Sequence, residues 1–224
     1  MEKIKVLLAD DHTIVRQGLR ALLEAEADFT IVGEADNGRQ ALRLALRLLP
    51  DVVVIDVAMP LMNGLEATRQ IIKELPNVRV LVLSSYSDDE YVHQVTEAGA
   101  AGYLLKQTAA EDLIRAIREA RNGNAFFSPA ISKRLLEHYR ESFSKGTPPG
   151  TRMDRLTSRE AEVLQLVAEG KVNKQISAEL CVSVKTVEKH RQQVMNKLNI
   201  HDVAGLTRYA ISKGIIQSSV SPRL

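Results

Sequence analysis

The sequence lacks tryptophan and has a single cysteine, Cys181, among its 224 residues. One cysteine excludes an intramolecular disulfide and a zinc site built from a cysteine cluster, and we expect Cys181 to be a small, buried apolar residue. Long apolar runs are also missing, because the stretches at 52–55 and 80–83 are far shorter than the ~20 residues that a membrane-spanning helix needs. The apolar N-terminal stretch stops at two aspartates before a signal-peptide core could form, so we expect a cytoplasmic protein without a membrane segment.

Charge is unevenly distributed along the chain, although the net charge is only +2. Residues 1–125 hold 14 basic and 19 acidic residues, whereas residues 151–224 hold 12 basic and 7 acidic ones. The C-terminal third is therefore the better candidate for contact with a polyanion. The length, with 45% apolar and 26% charged residues, favours two soluble globular domains of roughly 100 residues each.

The first 121 residues alternate short apolar runs with amphipathic stretches at helical spacing. The runs are rich in Val, Ile and Leu and are continuously apolar, which is typical of strands covered by helices on both faces. The pattern predicts an α/β fold with a doubly wound, five-stranded parallel sheet. The predicted strands are at 4–9, 30–35, 51–55, 79–84 and 102–105, and the predicted helices lie near 13–26, 38–48, 64–74, 88–97 and 110–121.

Polar residues end four of these strands, and in a parallel sheet such residues converge at the carboxyl edge, where ligands bind. They are Asp10, Asp11, Asp56, Ser84 and Lys106. Each aspartate alone is more simply explained as a helix cap, but the whole set at matching strand ends favours a site. Three carboxylates in one pocket repel each other unless a cation shares the space, and ligands that are all oxygen favour Mg²⁺.

A carboxylate in such a pocket can act as a nucleophile that accepts a phosphoryl group. Lys106 and the hydroxyl of Ser84 would then hold the phosphoryl oxygens. His12 follows the acidic pair, and we interpret it as the surface at the start of a helix rather than as a metal ligand or a catalytic group.

Four motifs carry a family resemblance: VLLADDH, DVVVIDVAMPLMNG, VLVLSS and AGAAGYLLK. They resemble the successive motifs of a response-regulator receiver, a flavodoxin-like domain, over residues 1–121. The resemblance implies that Asp56 takes a phosphoryl group from a sensor histidine kinase, with Lys106 assisting. It also implies that Asp11, Asp56 and the Ala58 carbonyl bind Mg²⁺, with Asp10 acting through water.

The same resemblance assigns a switch hydroxyl to Ser84 and a switch aromatic to Tyr103, which changes rotamer as the hydroxyl moves towards the phosphoryl group. The alternative is that Tyr103 only packs at the end of a strand. Gln107 departs from the family, since many receivers have proline and a cis bond after the lysine. A cis bond without proline costs about 2.5–4 kcal/mol, which leaves the geometry of this loop open.

Residues 122–151 are predicted to form a linker between two domains. Ser128 and Pro129 are typical of a helix start, so we expect a short helix there. The glycines and prolines of 143–152 indicate a flexible or extended tether.

The C-terminal segment, 152–217, is predicted to be a small all-α domain of four helices. Thr157 and Glu160 have capping-box spacing and predict a helix over 158–169 that stops at a glycine, followed by a second helix over 174–180. Ser183 is the expected N-cap of a third helix that ends at residue 198, and a fourth is expected over 202–212. A short helix, a tight turn and a longer helix form the helix-turn-helix pattern. The last residues, 218–224, are expected to fray.

The third predicted helix has one polar face and one apolar face. Side chains that suit base edges in a major groove are Lys185, Glu188, Lys189 and Gln192. Residues expected to meet phosphates instead are Lys174, Thr186, His190 and Arg191. A charged helix face by itself fits a solvated surface equally well.

The stretch LTSREAEVLQLVAEGKVNKQISAELCVSVKTVEKHRQQVMNKLNI resembles the LuxR-type DNA-binding domain, over residues 155–213. Together with the receiver, it resembles the NarL/FixJ subfamily of response regulators. This implies a non-enzymatic, phosphorylation-dependent transcriptional regulator that binds double-stranded DNA as a homodimer on activation, with the fourth helix pairing the two copies. RNA polymerase is a further candidate partner.

Two alternatives remain open at the level of sequence. An aspartate-nucleophile phosphohydrolase would share the nucleophile, Mg²⁺ and lysine, but it requires an acidic residue at the position of Ala58. A DNA-binding regulator that ignores phosphate would use the receiver only for dimerisation, and the intact set of Asp10, Asp11, Asp56 and Lys106 argues against it.

Overall fold

The computed structural model describes residues 3–85, 89–107, 110–128, 131–137 and 156–216. The chain divides between Pro149 and Gly150 into two compact units. The first is an α/β unit and the second is helical. Within the described ranges, no helix is both long and apolar enough to cross a membrane.

The α/β unit follows the predicted alternation closely. Its strands are β1 (Ile4–Ala9), β2 (Phe29–Ala35), β3 (Val52–Asp56), β4 (Arg79–Ser84), β5 (Gly102–Leu105) and β6 (Phe126–Phe127). Its helices are α1 (Thr13–Glu24), α2 (Gly38–Leu48), α3 (Gly64–Glu74), α4 (Asp89–Glu97), α5 (Ala110–Arg121) and, at residues 131–137, α6. The strand and helix bounds differ from the predicted ones by at most two residues, apart from β6, which the apolar pattern does not predict.

All strands pair in parallel in the order β2-β1-β3-β4-β5-β6, so the predicted doubly wound sheet is confirmed and gains a sixth strand. The extra strand lies at the edge, where Phe126 pairs with Gly102 and Phe127 with Tyr103. Gly102 makes this approach possible, because a Cβ at that position would lie 2.2 Å from the carbonyl oxygen of Phe126.

Two apolar cores cover the two faces of the sheet. One face packs against α2, α3 and α4, and the other packs against α1 and α5. Neighbouring residues of one strand serve opposite faces: Leu7 belongs to the first core, whereas Val6 and Leu8 belong to the second. Continuously apolar strands are needed for this arrangement, which explains why their sequences do not alternate.

The first part of the predicted linker belongs to the α/β unit. Phe127 and Leu135 pack against the first core, and Ile131 is fully buried within it. Ser132 donates its backbone N–H to the carbonyl of Ser128 at 2.9 Å, in agreement with a helix start near Ser128. The predicted tether at 143–152 and the predicted frayed tail lie outside the described residues.

The helical unit consists of α7 (Ser158–Ala168), α8 (Asn173–Leu180), α9 (Val184–Leu198) and α10 (Val203–Ser212). The predicted capping box is confirmed, since Thr157 accepts from the backbone of Glu160 and Glu160 accepts from that of Thr157. Ser183 caps α9 by accepting from the N–H of Thr186 at 3.1 Å. The buried side chains of α7 form the centre of the unit and pack against α9 and α10.

The prediction that Cys181 is buried was wrong. This residue is exposed and is the C-cap of α8, with a left-handed φ of 52°. The chain leaves the helix here to turn towards α9, so the side chain lies on the outside of the turn. Cysteine is usually a buried residue type, but the geometry of the turn overrides that preference.

Candidate functional site

The pairing register brings the predicted site residues to one edge of the sheet. Ala9 pairs with Ile55, so Asp10 and Asp56 follow at neighbouring positions. Asp56 pairs with Leu83, so Ser84 lies one residue beyond the partner of Asp56. Ser84 in turn pairs with Leu105, so Lys106 lies one residue beyond the partner of Ser84. Four strands that are distant in sequence therefore deliver their terminal polar groups to a single region.

Lys106 joins two buried carboxylates at this edge. Its Nζ lies 2.8 Å from Oδ2 of Asp56 and 2.7 Å from Oδ2 of Asp10. Asp10 is 1% exposed and Asp56 is 3% exposed, whereas the Lys106 side chain remains 14% exposed. The backbone N–H of Lys106 also donates to the carbonyl of Ser84 at 2.8 Å, which holds the ends of β4 and β5 together.

The surroundings of Asp56 act on its pKa in opposite directions. Burial raises the pKa of Asp56, and the charges of Asp10 and Asp11 act in the same direction, while Lys106 opposes them. The net result is a pKa above the ordinary value. For Lys106, burial acts to lower the pKa, but hydrogen bonds to Asp10 and Asp56 outweigh it and the pKa is raised. The ammonium is therefore a permanent cation beside Asp56.

The loop after β3 is held against the strand by a close backbone approach. The N–H of Gly64 donates to the carbonyl of Val57 at 2.7 Å. A Cβ at position 64 would lie 1.9 Å from the carbonyl oxygen of Asp56, so only glycine fits. Asn63 caps α3 by accepting from the N–H of Glu66 at 2.9 Å. These contacts fix the loop that contains Ala58, which is buried.

The donor set at this edge fits a divalent cation. Asp10, Asp11 and Asp56 each offer an oxygen, and these atoms, together with a nitrogen of His12, all lie within 4.8 Å of one another. Opposite ligands of an octahedral Mg²⁺ at about 2.1 Å would lie roughly 4.2 Å apart, which matches this spread. Three carboxyl groups share one ammonium group at this edge, and a divalent cation would balance the excess of acidic groups.

Two further residues contact this edge: His12, which the sequence analysis placed at the start of a helix, and Arg16, which it did not single out. The ring of His12, read from the sequence as helix-start surface, places Nδ1 3.2 Å from Oδ1 of Asp10 and 2.8 Å from Oδ1 of Asp11. Arg16 donates to the backbone carbonyl of Asp10 at 2.6 Å and pairs with Glu34 at 3.0 Å. The spacing from Asp10 to Arg16 places the arginine one turn into α1, and this was the available signal.

The two predicted switch residues are both fully buried. Ser84 ends β4, and Tyr103 lies in β5 beside Phe127 of β6, within the first core. The peptide bond from Lys106 to Gln107 is trans, like every peptide bond among the described residues. Without proline the loop adopts the ordinary isomer.

The predicted reading face of α9 lies opposite its buried side. Val187 and Val194 on the opposite side are buried in the helical unit. All four side chains assigned to base edges are exposed: Lys185, Glu188, Lys189 and Gln192. Of the four assigned to phosphates, Lys174 is exposed, and Thr186, His190 and Arg191 are half-buried.

Several of these side chains are held by neighbours. Arg191 donates to the side-chain oxygen of Asn173 at the start of α8, which ties the two helices together. Gln192 donates from Nε2 to Oδ1 of Asn196 at 2.9 Å, one turn further along α9. The hydroxyls of Ser183 and Thr186 lie 2.8 Å apart. The start of the helix and part of its exposed face are thus preorganised.

The far end of α9 is anchored to α7 by an ion pair between a buried carboxylate and an exposed lysine. Nζ of Lys197 lies 2.7 Å from Oε2 of Glu160, whose side chain is 4% exposed. Burial acts to raise the pKa of Glu160, but hydrogen bonds from Lys197 and Thr157 outweigh it and the pKa is lowered. The capping-box glutamate therefore also fixes the position of α9.

Two family models match the chain in consecutive segments. Residues 6–118 match the response regulator receiver domain, and residues 154–210 match the bacterial regulatory proteins of the luxR family. The first match contains the aspartates, the serine and the lysine of the sheet edge, and the second contains all of α7, α8 and α9 and most of α10.

Relatives match both segments together. The transcriptional regulatory protein LiaR of Bacillus subtilis (strain 168) is 42% identical over 207 residues, which cover 92% of this chain and 96% of LiaR. RcsB from Salmonella enterica serovar Typhimurium, solved bound to promoter rprA in the presence of the phosphomimetic BeF3-, is 28% identical with a TM-score of 0.58, covering 93% of this chain and 98% of that one. A structure of two RcsB dimers bound to two parallel DNAs has 27% identity and a TM-score of 0.58, covering 95% of this chain and 100% of that one.

These relatives are transcriptional regulators, and the matches span almost the whole chain. The predicted fold class, receiver and helix-turn-helix are thereby confirmed. The chain belongs to the two-component response regulators of the NarL/FixJ type, in which a receiver domain precedes a LuxR-type DNA-binding domain.

Proposed function

We propose that this regulator accepts a phosphoryl group on Asp56 from a sensor histidine kinase and then binds specific DNA sites as a homodimer. The observation that carries the proposal is the contact of Lys106 with Asp56 inside a buried acidic cluster. An ion pair between Lys106 and Asp56 that served only stability would need neither Asp10 nor Asp11 beside it, whereas phosphoryl transfer needs a nucleophile, a cation site and a fixed positive charge together.

The residues divide the chemistry among them. Lys106 holds Oδ2 of Asp56, so Oδ1 is the oxygen left to attack phosphorus. As the new P–O bond forms, the bond from phosphorus to the histidine nitrogen of the kinase breaks, and an acyl phosphate results. Asp11, Asp56 and the Ala58 carbonyl would hold Mg²⁺, with Asp10 acting through water. When bound, the ion neutralises the oxygens of the transferred group.

Ser84 and Tyr103 would carry the change away from the site. In the proposed switch, the hydroxyl of Ser84 moves to a phosphoryl oxygen and Tyr103 follows it. Ser84 pairs with Leu105 of β5, and Tyr103 lies in β5 and pairs with Phe127 of β6. Because both side chains are fully buried, a displacement of either one would change the packing of its neighbours. A population shift between two packings is the expected form of this response.

For DNA, the exposed face of α9 would enter the major groove and α10 would pair two copies. Lys185, Glu188, Lys189 and Gln192 would meet base edges, and Lys174, Thr186, His190 and Arg191 would meet phosphates. A two-fold dimer predicts half-sites about one helical turn, ~10 bp, apart. RcsB, which aligns with more than nine tenths of this chain, has been solved bound to promoter DNA and as dimers bound to DNA.

The test treats the full chain with a small phosphodonor and Mg²⁺ and measures covalent labelling by intact mass. We expect one label in the wild type and none in Asp56→Ala. Asp36→Ala is the matched control, because Asp36 also follows a strand but is exposed at the end of β2 and should leave labelling unchanged. Equal labelling of Asp56→Ala would remove the acceptor assignment.

A second measurement concerns the coupling to DNA. Fragments selected from random DNA give the preferred site, and its affinity is then measured with and without the acyl-phosphate mimic across salt concentrations. We expect the mimic to raise affinity and to promote dimers. An affinity that the mimic leaves unchanged would favour the regulator that uses its receiver only for dimerisation.

A further inference from the structure

The environment of His12 differs from that of a residue at a helix surface. Its backbone N–H donates to Oδ1 of Asp10 at 2.8 Å, which draws the loop inward at the start of α1. Its ring is 53% exposed, yet Nδ1 lies 3.2 Å from Oδ1 of Asp10 and 2.8 Å from Oδ1 of Asp11. The exposed ring therefore has one nitrogen directed at the acidic pair.

We infer that Nδ1 of His12 is an additional ligand of the divalent cation at this site. The site would then offer one imidazole nitrogen beside its oxygens, and it would accept imidazole-binding ions of the first transition row, such as Mn²⁺ and Ni²⁺, as well as Mg²⁺. This inference rests on the proposed function in one respect, namely that the acidic edge around Asp56 is a cation site.

The distances allow His12 to share a cation with the aspartates. Nδ1 and one oxygen each from Asp10, Asp11 and Asp56 all lie within 4.8 Å of one another. Metal–nitrogen bonds to histidine are about 2.0–2.1 Å, close to the metal–oxygen distances, so a common centre needs only small adjustments of four side chains.

Lys106 does not compete for this position. Its Nζ contacts the Oδ2 atoms of Asp10 and Asp56, whereas His12 faces the Oδ1 atoms of Asp10 and Asp11. A cation on the His12 side therefore leaves the lysine contacts in place. Without a cation, an N–H at Nδ1 can donate to Oδ1 of Asp10, and Oδ1 of Asp11 has no hydrogen-bond partner among the described residues, so the ring nitrogen already faces the oxygens that coordination requires.

Ligand chemistry then sets the expected preference. Mg²⁺ gains little from an imidazole, because it favours oxygen ligands and retains its waters. Affinity for nitrogen rises along the first row towards Ni²⁺ and Cu²⁺. Removal of His12 should therefore affect Ni²⁺ strongly and Mg²⁺ weakly, a split that a purely structural role of the ring would not produce.

The test uses the full chain in a Cys181→Ser background, which removes the only thiol, and compares wild type, His12→Gln and His201→Gln. His201 is an exposed histidine of the helical unit and controls for adventitious binding by surface imidazoles. Pulsed EPR with bound Mn²⁺ detects directly coordinated nitrogen, and calorimetry gives the affinities for Ni²⁺ and Mg²⁺. We expect nitrogen coupling in wild type and His201→Gln and its loss in His12→Gln, with Ni²⁺ affinity reduced about tenfold or more and Mg²⁺ affinity changed less than about twofold.

The outcomes separate this inference from the proposed function. Tight Mg²⁺ and Mn²⁺ binding without nitrogen coupling would overturn the role of His12 and leave the cation site intact. Tighter Mg²⁺ binding by His12→Gln would likewise overturn it, because the ring would then be a competitor. Loss of the coupling in His201→Gln would assign the nitrogen to the protein surface. Absence of any cation binding, with Asp11→Asn indistinguishable from wild type, would overturn the cation site itself.

Discussion

The charged cluster at the sheet edge and the charged face of α9 are built in opposite ways. At the sheet edge, Asp10, Asp56 and Lys106 come from the ends of three strands, and the two carboxylates are almost fully buried. On α9, the charged side chains come from one helix and are exposed. A buried charge must find its counter-charge inside the protein, whereas an exposed one is satisfied by water. The sheet edge should therefore respond to mutation as a unit, and the helix face residue by residue.

The largest effect is expected when the ammonium group of Lys106 is removed from the buried cluster at the sheet edge. Lys106→Met leaves Asp10 and Asp56 buried without their shared partner, and we expect a loss of about 3 kcal/mol in the free energy of unfolding. Urea unfolding in the presence of EDTA measures it, with the exposed Lys73→Met as the control. Asp56→Asn in the Lys106→Met background should recover part of the loss. If Lys106→Met lowered the free energy of unfolding no more than Lys73→Met does, the ammonium of Lys106 would not be coupled energetically to Asp10 and Asp56.

The next effect concerns the backbone beneath the cluster. Gly64→Ala places a methyl group 1.9 Å from the carbonyl oxygen of Asp56, so the loop must shift, at roughly 2 kcal/mol or more. Gly18→Ala is the matched control, because that position in α1 has nothing within 4 Å, and the substitution should stabilise by up to about 1 kcal/mol. Thermal unfolding of both variants gives the comparison. If both substitutions shifted the unfolding temperature in the same direction, the close approach of Gly64 to the carbonyl of Asp56 would not explain the effect.

Measurements of DNA affinity should distinguish two kinds of residue in the helical unit, one on α9 and one on α8. Lys189→Ala should weaken the preferred site about tenfold and other sequences much less, because a base contact is lost. Lys174→Ala should weaken all sequences equally and reduce the salt slope by about one, because a phosphate contact is lost. Titrations at several salt concentrations measure both. If Lys189→Ala behaved like Lys174→Ala, its assignment to base edges would be wrong.

The smallest effect tests the ion pair between Lys197 and the buried Glu160, which anchors α9 to α7. Because the pKa of Glu160 is lowered on folding, its contribution to stability is complete above the ordinary value of 4.5 and is lost as the pH falls through the lowered pKa. Glu160→Gln should cost about 1 kcal/mol at neutral pH, as loss of a cap does, and the difference from wild type should narrow under acid. Urea unfolding at a series of pH values from neutral to acid measures this difference in the free energy of unfolding, with Glu188→Gln as an exposed control. A difference that is constant with pH would exclude the ion pair as its source.

The sequence predicts most of the fold because each element carries its own local signal. The glycine and capping residues around Thr157, Ser183 and Gly170 determine helix ends through single hydrogen bonds, and the apolar runs have the length of strands. The edge strand at Phe126 has two residues, which is too short for any periodicity. Its place is set by Gly102, more than twenty residues earlier, so no local pattern contains it.

The candidate site likewise contains residues that the sequence predicts and residues whose positions it does not predict. Asp10, Asp56 and Lys106 could be predicted as neighbours because parallel strands bring their carboxyl ends to one edge. The inward turn of His12 depends on the direction of one loop and on the backbone bond to Asp10, and residue type alone does not determine either. The outward position of Cys181 has the same origin, since a left-handed residue at a helix end points where the turn requires.

The sixth strand and α6 also determine where the receiver can be cut. A fragment that ends at Arg121 would expose the backbone of β5 beside Gly102 and would open the space that Ile131 fills in the core. A strand edge without its pairing partner, next to an exposed apolar cavity, is a typical starting point for aggregation. An isolated receiver that is to remain monodisperse should therefore extend to residue 137, beyond the end of its last family motif.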